Sequence, residues 1–256
     1  ATALLACSQP TPAAADEPRG QADSAAEAMS AAYPEAIADF ENGELIFADG
    51  TRMAVSDGIE GKSEAAILDS PDIDDMFAWP YPSGEPAPAT RDPGRARHEP
   101  LFRRLYGDCR SGGAAALDLR DVAWMPSLRG GTLPMSTRHG AADALEAVVR
   151  ELEALPPGMT RFLVPSAGSF NCRPIAGTDR LSAHGLGIAL DIATAQSDYW
   201  RWAGGEGARW RNRIPYEIVE IFERHGFIWG GRWRHFDTMH FEYRPELLVG
   251  RRGDAR

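Results

Sequence analysis

Two short segments, residues 182–191 and 237–242, place polar side chains inside otherwise apolar stretches of the chain. Asp191 and His240 each stand between two apolar neighbours, in runs with the character of buried strands. A carboxylate in such a strand is costly to bury unless it is paired with a cation or bound to a metal ion. The sequence therefore predicts a fold in which these two distant segments meet around a shared polar centre.

The first segment needs a turn if its polar residues are to act together. His184 and Asp191 are seven positions apart, and in a straight strand they would face opposite sides. Gly185 and Gly187 permit a turn between them. A strand over residues 188–192 would then point Asp191 back toward His184.

The combined donor set predicts a zinc site. His184, Asp191 and His240 supply two imidazoles and one carboxylate, a three-ligand set that leaves the fourth position of a catalytic zinc ion open. On its own, His240 is more typical of a satisfied core histidine; the combination favours the metal. Asp237 is predicted to act as the general base on water. Glu242 competes for that role or orients His240.

Further residues are predicted to surround the metal or the substrate. Arg173 is the candidate for holding a substrate carboxylate or a developing oxyanion, with a simple surface arginine as the alternative. Arg180 is a weaker candidate for the same contact. Ser182 stands at the start of the metal segment, and Trp233 is interpreted either as a cleft wall or as a core residue.

Cys109 and Cys172 are predicted to form a disulfide if the chain is exported. Closing a loop of that length stabilises a fold by about 4 kcal/mol on the chain-entropy account. The alternative is two buried thiols.

The beginning of the chain predicts export and a lipid anchor. Residues 1–8 resemble the end of a secretory signal. Within them, residues 4–7 resemble a bacterial lipobox, which predicts acylation of Cys7 and attachment to a membrane surface. An incidental cysteine in an apolar remnant is the alternative. This interpretation predicts a periplasmic or cell-envelope lipoprotein.

Composition divides the chain into three regions. Residues 1–32 are predicted to be the signal remnant and a disordered tether. Residues 33–100 are predicted to be an accessory region with a β-hairpin at 43–55 and a proline-rich connection at 80–100. Residues 101–250 are predicted to form the metal-binding domain. Its predicted helices cover 141–155 and 215–225, and its predicted strands cover 116–124, 162–164, 227–229 and 239–243.

The interspersed elements lack a regular alternation of strand and helix, which favours an α+β fold. The net charge of −10 argues against nucleic acid as a partner, because such binding needs a concentrated basic face. No apolar run reaches the roughly 18 residues of a membrane-spanning helix.

The two segments together resemble the zinc peptidases that cut D-Ala-D-Ala and L-Ala-D-Glu bonds in bacterial cell walls. The resemblance covers about residues 160–245, and residues 229–233 are similar to the stretch before the last ligand in many members. The matching positions of the family motifs are Ser182, His184, Gly187, Ala189, Asp191, Asp237 and His240.

The resemblance implies a compact α+β zinc-peptidase domain in which a central antiparallel sheet is flanked by helices. It also implies one zinc ion, Asp237 as general base and stem peptides of peptidoglycan as substrates. Arg173 lies closer to His184 than the substrate arginine of the D-Ala-D-Ala-trimming members does. D,D-carboxypeptidase and L,D-type endopeptidase action therefore both remain open.

Two further functions fit the same residues. One is a catalytically silent lipoprotein that keeps the zinc fold and binds cell-wall peptide. The other is a zinc amidase that cuts the link between sugar and peptide.

Overall fold

The computed structural model describes residues 21–250 of the chain. The predicted acylation of Cys7 and the first part of the predicted tether lie outside these residues. Within 21–250, no helix is both long and apolar enough to span a bilayer.

The α-helices of the described residues are short, and α3, α4 and α5 each bury an apolar face. The fourth helix buries Leu145, Val148, Val149 and Leu152, the apolar positions at helical spacing that predicted it. The fifth lies within the predicted range 215–225, with Pro215 directly before its first residue. The helices are α1 (Gln21–Ala32), α2 (Glu64–Asp69), α3 (Glu99–Tyr106), α4 (Ala141–Leu152) and α5 (Tyr216–Arg224).

The strands of the described residues form three small antiparallel sheets with the orders β1-β2-β3, β4-β5 and β6-β8-β7. The α+β class is confirmed, but the structure divides the predicted central sheet among these three. Every strand is only three to five residues long, and turns interrupt them before a broad sheet can form. The strands are β1 (Ile37–Glu41), β2 (Glu44–Phe47), β3 (Arg52–Ala54), β4 (Leu119–Ala123), β5 (Thr132–Ser136), β6 (Ala189–Asp191), β7 (Phe227–Trp229) and β8 (His240–Tyr243).

The predicted tether is wrong for residues 21–32, which form α1. This helix buries Ala25, Ala26 and Met29 against the rest of the molecule. Alanine is the strongest helix former, and its small side chain allows close packing of the helix. Two alanines and one large apolar residue, Met29, are enough for this contact, although the scarcity of large apolar residues suggested disorder.

The predicted strand over residues 162–164 is also wrong. Phe162 ends a 3-10 helix, Pro157–Phe162, and Leu163 follows it as a buried residue. A run of three apolar residues fits a strand and a buried turn equally well, so the pattern alone does not decide between them.

One hydrophobic core includes residues from the predicted tether, the predicted accessory region and the predicted metal-binding domain. One continuous cluster extends from α1 to β8 and includes Ile37, Leu45, Val55 and Ile73 from the predicted accessory region. The first of the three sheets, β1-β2-β3, therefore packs into the same core as the sheet that carries His240.

The proline-rich connection runs along the β6-β8-β7 sheet. The indole Nε1 of Trp233 donates to the carbonyl of Pro93 at 2.9 Å, and Arg244 Nη1 donates to the carbonyl of Gly94 at 2.6 Å. Both bonds are buried, and they hold the segment beside the residues predicted to bind metal.

Candidate metal centre

Strand pairing brings two of the predicted ligands together. In the antiparallel ladder of β6 and β8, Asp191 lies directly opposite His240. Side chains at such paired positions have Cβ atoms about 4.5–5.5 Å apart on one face of the sheet. The convergence of these distant residues therefore follows from the register of two short strands.

The third predicted ligand comes from the turn before β6. His184 lies in a 3-10 helix, Ala183–Leu186, which ends at Gly187 with a φ of +69°. The positive φ favours glycine at this position, and a Cβ there would also lie 2.5 Å from Leu119 Cδ2, so that this side chain would have to shift. The predicted turn after His184 is confirmed.

The three donor atoms have the spacing of a tetrahedral metal site. His184 Nε2 is 3.2 Å from His240 Nδ1, which is 3.0 Å from Asp191 Oδ1. The remaining distance, from His184 Nε2 to Asp191 Oδ1, is 3.4 Å. Ligand atoms at zinc–ligand distances of about 2.0–2.1 Å lie about 3.3 Å apart in a tetrahedron. His184, Asp191 and His240 therefore fit a zinc ion.

Both histidines have their second ring nitrogen directed at an acceptor. His184 Nδ1 donates to the carbonyl of Ser169, which leaves Nε2 unprotonated toward the centre. His240 Nε2 faces Glu242 Oε2 at 3.5 Å. Outer contacts of this kind fix the tautomer and the ring orientation of metal-binding histidines.

The electrostatics of the centre favour a positive charge. Burial opposes ionisation of Asp191, yet its hydrogen bonds to His184 and His240 hold the pKa of this carboxyl well below its usual range. Burial likewise opposes a charge on His240, but bonds to Asp191 and Glu242 raise the pKa of this imidazole to about 10. The donor set is thus suited to a cation.

Asp237, the predicted general base, has a buried carboxylate oxygen. Its Oδ1 is buried and has no hydrogen-bond partner among the described residues. Its backbone N–H donates to the carbonyl of Gly230 at 3.0 Å, and the residue lines the same cavity as the three predicted ligands. Burial raises the pKa of Asp237 to about 6. A buried carboxylate oxygen without a partner is costly unless a ligand, an ion or water engages it.

Glu242 is poorly placed for the competing base role. Arg97 Nη1 donates to its Oε2 at 2.9 Å and Arg244 Nη1 to its Oε1 at 3.3 Å. Burial opposes its ionisation, but these two cations lower the pKa of Glu242 to about 2. Its oxygens are already engaged, so the structure favours the orienting contact with His240.

A cavity of about 270 Å³ lies over the centre. Of the residues predicted to surround the site, Ser182, Arg173 and Trp233 line it. The ring centroid of Trp233 is 5.6 Å from that of His240. Arg173 is exposed, and its guanidinium donates at 3.3 Å to the carbonyl of the next residue.

Arg180 does not line this cavity, contrary to prediction. Its Nη1 donates to the carbonyl of Leu68, at the end of α2, which draws the guanidinium away from the centre. It borders instead a much smaller cavity beside Glu99 and Phe102.

Two arginines of the proline-rich connection, which were not predicted from the sequence, also lie at the site. Arg95 lines the cavity, and Arg97 holds Glu242. The guanidinium of Arg95 is bonded to the buried Asp92 and lies 6.0 Å from the ring centre of Trp233. Their two-residue spacing is consistent with both side chains projecting to the same side of an extended segment, but it does not indicate which site they face.

The disulfide between Cys109 and Cys172 is confirmed, with Cα atoms 5.8 Å apart. It ties the segment that carries Arg173 to the turn that follows α3. The backbone N–H of Asn171, beside the bridge, donates to the carbonyl of His184 at 3.2 Å. Cys172 of the disulfide is therefore adjacent to a residue that is hydrogen-bonded to the backbone of His184, a predicted ligand.

Comparison with known proteins identifies one family. A model of the D-alanyl-D-alanine carboxypeptidase family matches residues 176–243, a segment that contains the three predicted ligands and Asp237. No curated protein and no solved structure matches the chain significantly. Residues 176–243 of this chain are therefore similar to the D-alanyl-D-alanine carboxypeptidase family.

Proposed function

We propose that this protein is a zinc-dependent peptidase that hydrolyses the stem peptides of peptidoglycan. The observation that carries the proposal is the spacing of His184, Asp191 and His240, 3.0–3.4 Å between donor atoms, beside the unpartnered oxygen of Asp237. The family match supports a hydrolase of the cell wall. D,D-carboxypeptidase and L,D-endopeptidase action are the two forms of this proposal.

The proposed chemistry needs a polarised carbonyl, an acidified water molecule and a base. A zinc ion held by His184, Asp191 and His240 would supply Lewis acidity for the first two. Asp237 then accepts a proton from the attacking water and passes it to the departing amine. A carboxyl whose pKa is raised to about 6 both takes up and releases a proton near neutral pH.

Positive side chains are proposed to bind the anionic groups of the substrate. Arg173 keeps its predicted role, and Arg95 joins it because its guanidinium is held over the cavity by Asp92 and Trp233. The charge of Arg95 also acts on Asp237, which places it electrostatically near the base. A fixed guanidinium loses less freedom on binding a carboxylate than an exposed one.

Export and lipid anchoring through Cys7 are proposed with this function, because peptidoglycan lies outside the cytoplasm. The disulfide between Cys109 and Cys172 supports an oxidising compartment. Expression of the full-length precursor in a bacterium with labelled fatty acid tests the anchor. The label should enter the wild-type protein and be absent from Cys7→Ser.

Digestion of purified muropeptides tests the activity itself. The zinc-loaded protein and its Asp237→Asn variant are compared by mass spectrometry of the products. Release of D-alanine identifies a carboxypeptidase, cleavage after L-alanine an endopeptidase, and separation of sugar from peptide an amidase. The variant should retain its zinc and lose hydrolysis.

The silent binding protein remains the alternative outcome of the same experiment. If the wild-type protein carries zinc and binds muropeptides but releases no product, the peptidase proposal is wrong. The intact Asp237 argues for catalysis, because a protein that only binds peptide has no need of a buried carboxylate at this place.

A further inference from the structure

An exposed tryptophan stands at the rim of the proposed active site. The side chain of Trp202 is 64% exposed, and it lines the same cavity as His184 and Asp237. Single exposed apolar residues are normal on protein surfaces, and Ile59 is equally exposed elsewhere. Trp202 differs from Ile59 because it borders the cavity that contains the predicted metal ligands and Asp237.

The loop that carries Trp202 is held in place at several points. The backbone N–H of Trp200 donates to the carbonyl of Phe236 at 2.9 Å. The indole of Trp210 donates to the carbonyl of Gly231, also at 2.9 Å. The Trp202 indole is presented by an ordered loop, so little conformational freedom is lost when a ligand covers it.

Polar groups accompany the exposed ring. Tyr199 meets the Trp202 ring edge to face, with centroids 5.5 Å apart. Arg201 lies 5.1 Å from the centre of the Trp200 ring and also lines the cavity, and Arg173 lines it as well. The rim thus offers a flat apolar face bordered by hydrogen-bond donors.

This surface suits a ligand with one apolar face and a polar edge. The alanine and glutamate side chains of a stem peptide are too small to cover an indole, which buries about 150–250 Å² when it is enclosed. A pyranose ring has the required shape, because its C–H groups form a flat face and its hydroxyl and acetamido groups lie at the edge.

We propose that Trp202 forms a subsite for an N-acetylated sugar ring, so that the protein prefers stem peptides still attached to the glycan. The inference rests on the proposed peptidase function, and it specifies the substrate class of that site. The sugar lies against the Trp202 indole, while the peptide extends into the cavity toward Asp237.

Two measurements on the full-length, zinc-loaded protein test the subsite. The first is kcat/KM for one stem peptide in two forms, free and attached to its N-acetylated disaccharide. The second is the affinity for the disaccharide alone, measured by isothermal titration calorimetry, which requires neither hydrolysis nor a tryptophan signal. The variants are Trp202→Ala, Trp202→Phe and, as a matched exposed control, Ile59→Ala.

The wild-type protein should prefer the glycan-attached form by about three- to tenfold, the size of one aromatic contact. Trp202→Ala should bring this ratio near one and weaken disaccharide binding by the same factor. Trp202→Phe should restore part of both, and Ile59→Ala should change neither.

The outcomes separate the subsite from the peptidase. Equal cleavage of both forms by the wild-type protein, or an unchanged ratio in Trp202→Ala, would overturn the sugar subsite while the peptidase stands. Disaccharide binding that depends on Trp202 without any hydrolysis would keep the subsite and refute the peptidase. Absence of disaccharide binding together with absence of hydrolysis would refute both.

Discussion

At the scale of single residues, Asp237 differs from the other carboxylates of the centre. Hydrogen bonds to two histidines lower the pKa of Asp191, and Arg97 and Arg244 lower that of Glu242, whereas burial raises the pKa of Asp237 to about 6. Divergent pKa values of this kind separate structural carboxylates from those that transfer protons.

The rate of hydrolysis should therefore fall at acidic pH. Asp237 must be ionised to accept a proton, and its ionised fraction drops tenfold for each pH unit below its pKa of about 6. A bound zinc ion adds positive charge, which lowers the pKa of Asp237, so the fall in rate then occurs at a lower pH. The measurement is kcat/KM from pH 5 to pH 8, with zinc content recorded at each point. A rate that rises as the pH falls from 7 to 5 would contradict the role.

Removal of one ligand should abolish metal binding. His240→Ala takes away one of three donor atoms and exposes the remaining two to water, so zinc affinity should fall by at least about 100-fold. His225, whose ring pairs with Glu151 on α4, supplies the control variant His225→Ala. Zinc content after dialysis should be near zero in the first and unchanged in the second. Equal zinc retention in both would remove His240 from the site.

At the scale of elements, β8 links the metal centre to a buried network of charges. Glu242 receives bonds from Arg97 and Arg244, and Arg244 pairs with Glu246. Glu246 in turn accepts a bond of 2.7 Å from the hydroxyl of Tyr33, just after α1. Every residue of β8 is buried. Buried charged groups need partners of opposite charge, and the members of this network supply them to one another.

The network should make stability depend on acid pH. The pKa of Glu242 is lowered from 4.5 to about 2 in the fold, so its contribution is complete above about pH 4.5 and is lost as the pH falls toward 2. Glu242→Gln should cost about 3–5 kcal/mol at pH 7, because it leaves buried cations underpaired. Urea unfolding from pH 7 to pH 3, with EDTA present, measures both effects.

The exposed Glu41, paired with Arg52, provides the control for that experiment. Glu41→Gln should change the free energy of unfolding by less than about 1 kcal/mol. The account of the network fails if Glu242→Gln is as mild as this control, or if its effect is the same at pH 3 as at pH 7.

Some parts of the site and the fold could be predicted from the sequence, and others could not. Asp191 and His240 were predictable because a polar side chain inside an apolar strand needs a partner or a metal ion, and Asp237 lies within three positions of His240. The roles of Arg95 and Arg97 were not predicted, because their proline-rich segment reaches the site only through tertiary packing. The helix α1 was missed because alanine-rich composition is shared by helices and flexible tethers.

At the scale of the whole molecule, residues 21–100 share one hydrophobic core with the segments that carry the metal centre. Met29 and Tyr33 are fully buried in the common cluster, and Arg97 is the partner of Glu242. The predicted division into accessory and catalytic parts therefore does not coincide with a division of the core.

A chain of residues 101–256 should for this reason fail to fold cooperatively. It lacks α1, the β1-β2-β3 sheet and Arg97, which leaves Glu242 buried with one partner fewer and exposes apolar surface of the core. A chain of residues 21–256 keeps all described contacts and serves as the control. Thermal unfolding followed by near-ultraviolet circular dichroism should show a sharp transition only in the longer chain. A sharp transition in the shorter one would restore the separate domain.

The central claim is that one zinc ion is held by His184, Asp191 and His240. Anomalous diffraction at the zinc absorption edge, on crystals of the zinc-loaded protein, tests it most directly. We expect a single peak about 2.0–2.2 Å from His184 Nε2, Asp191 Oδ1 and His240 Nδ1. A peak bound by other side chains, or no peak at these three atoms in zinc-loaded crystals, would contradict the account.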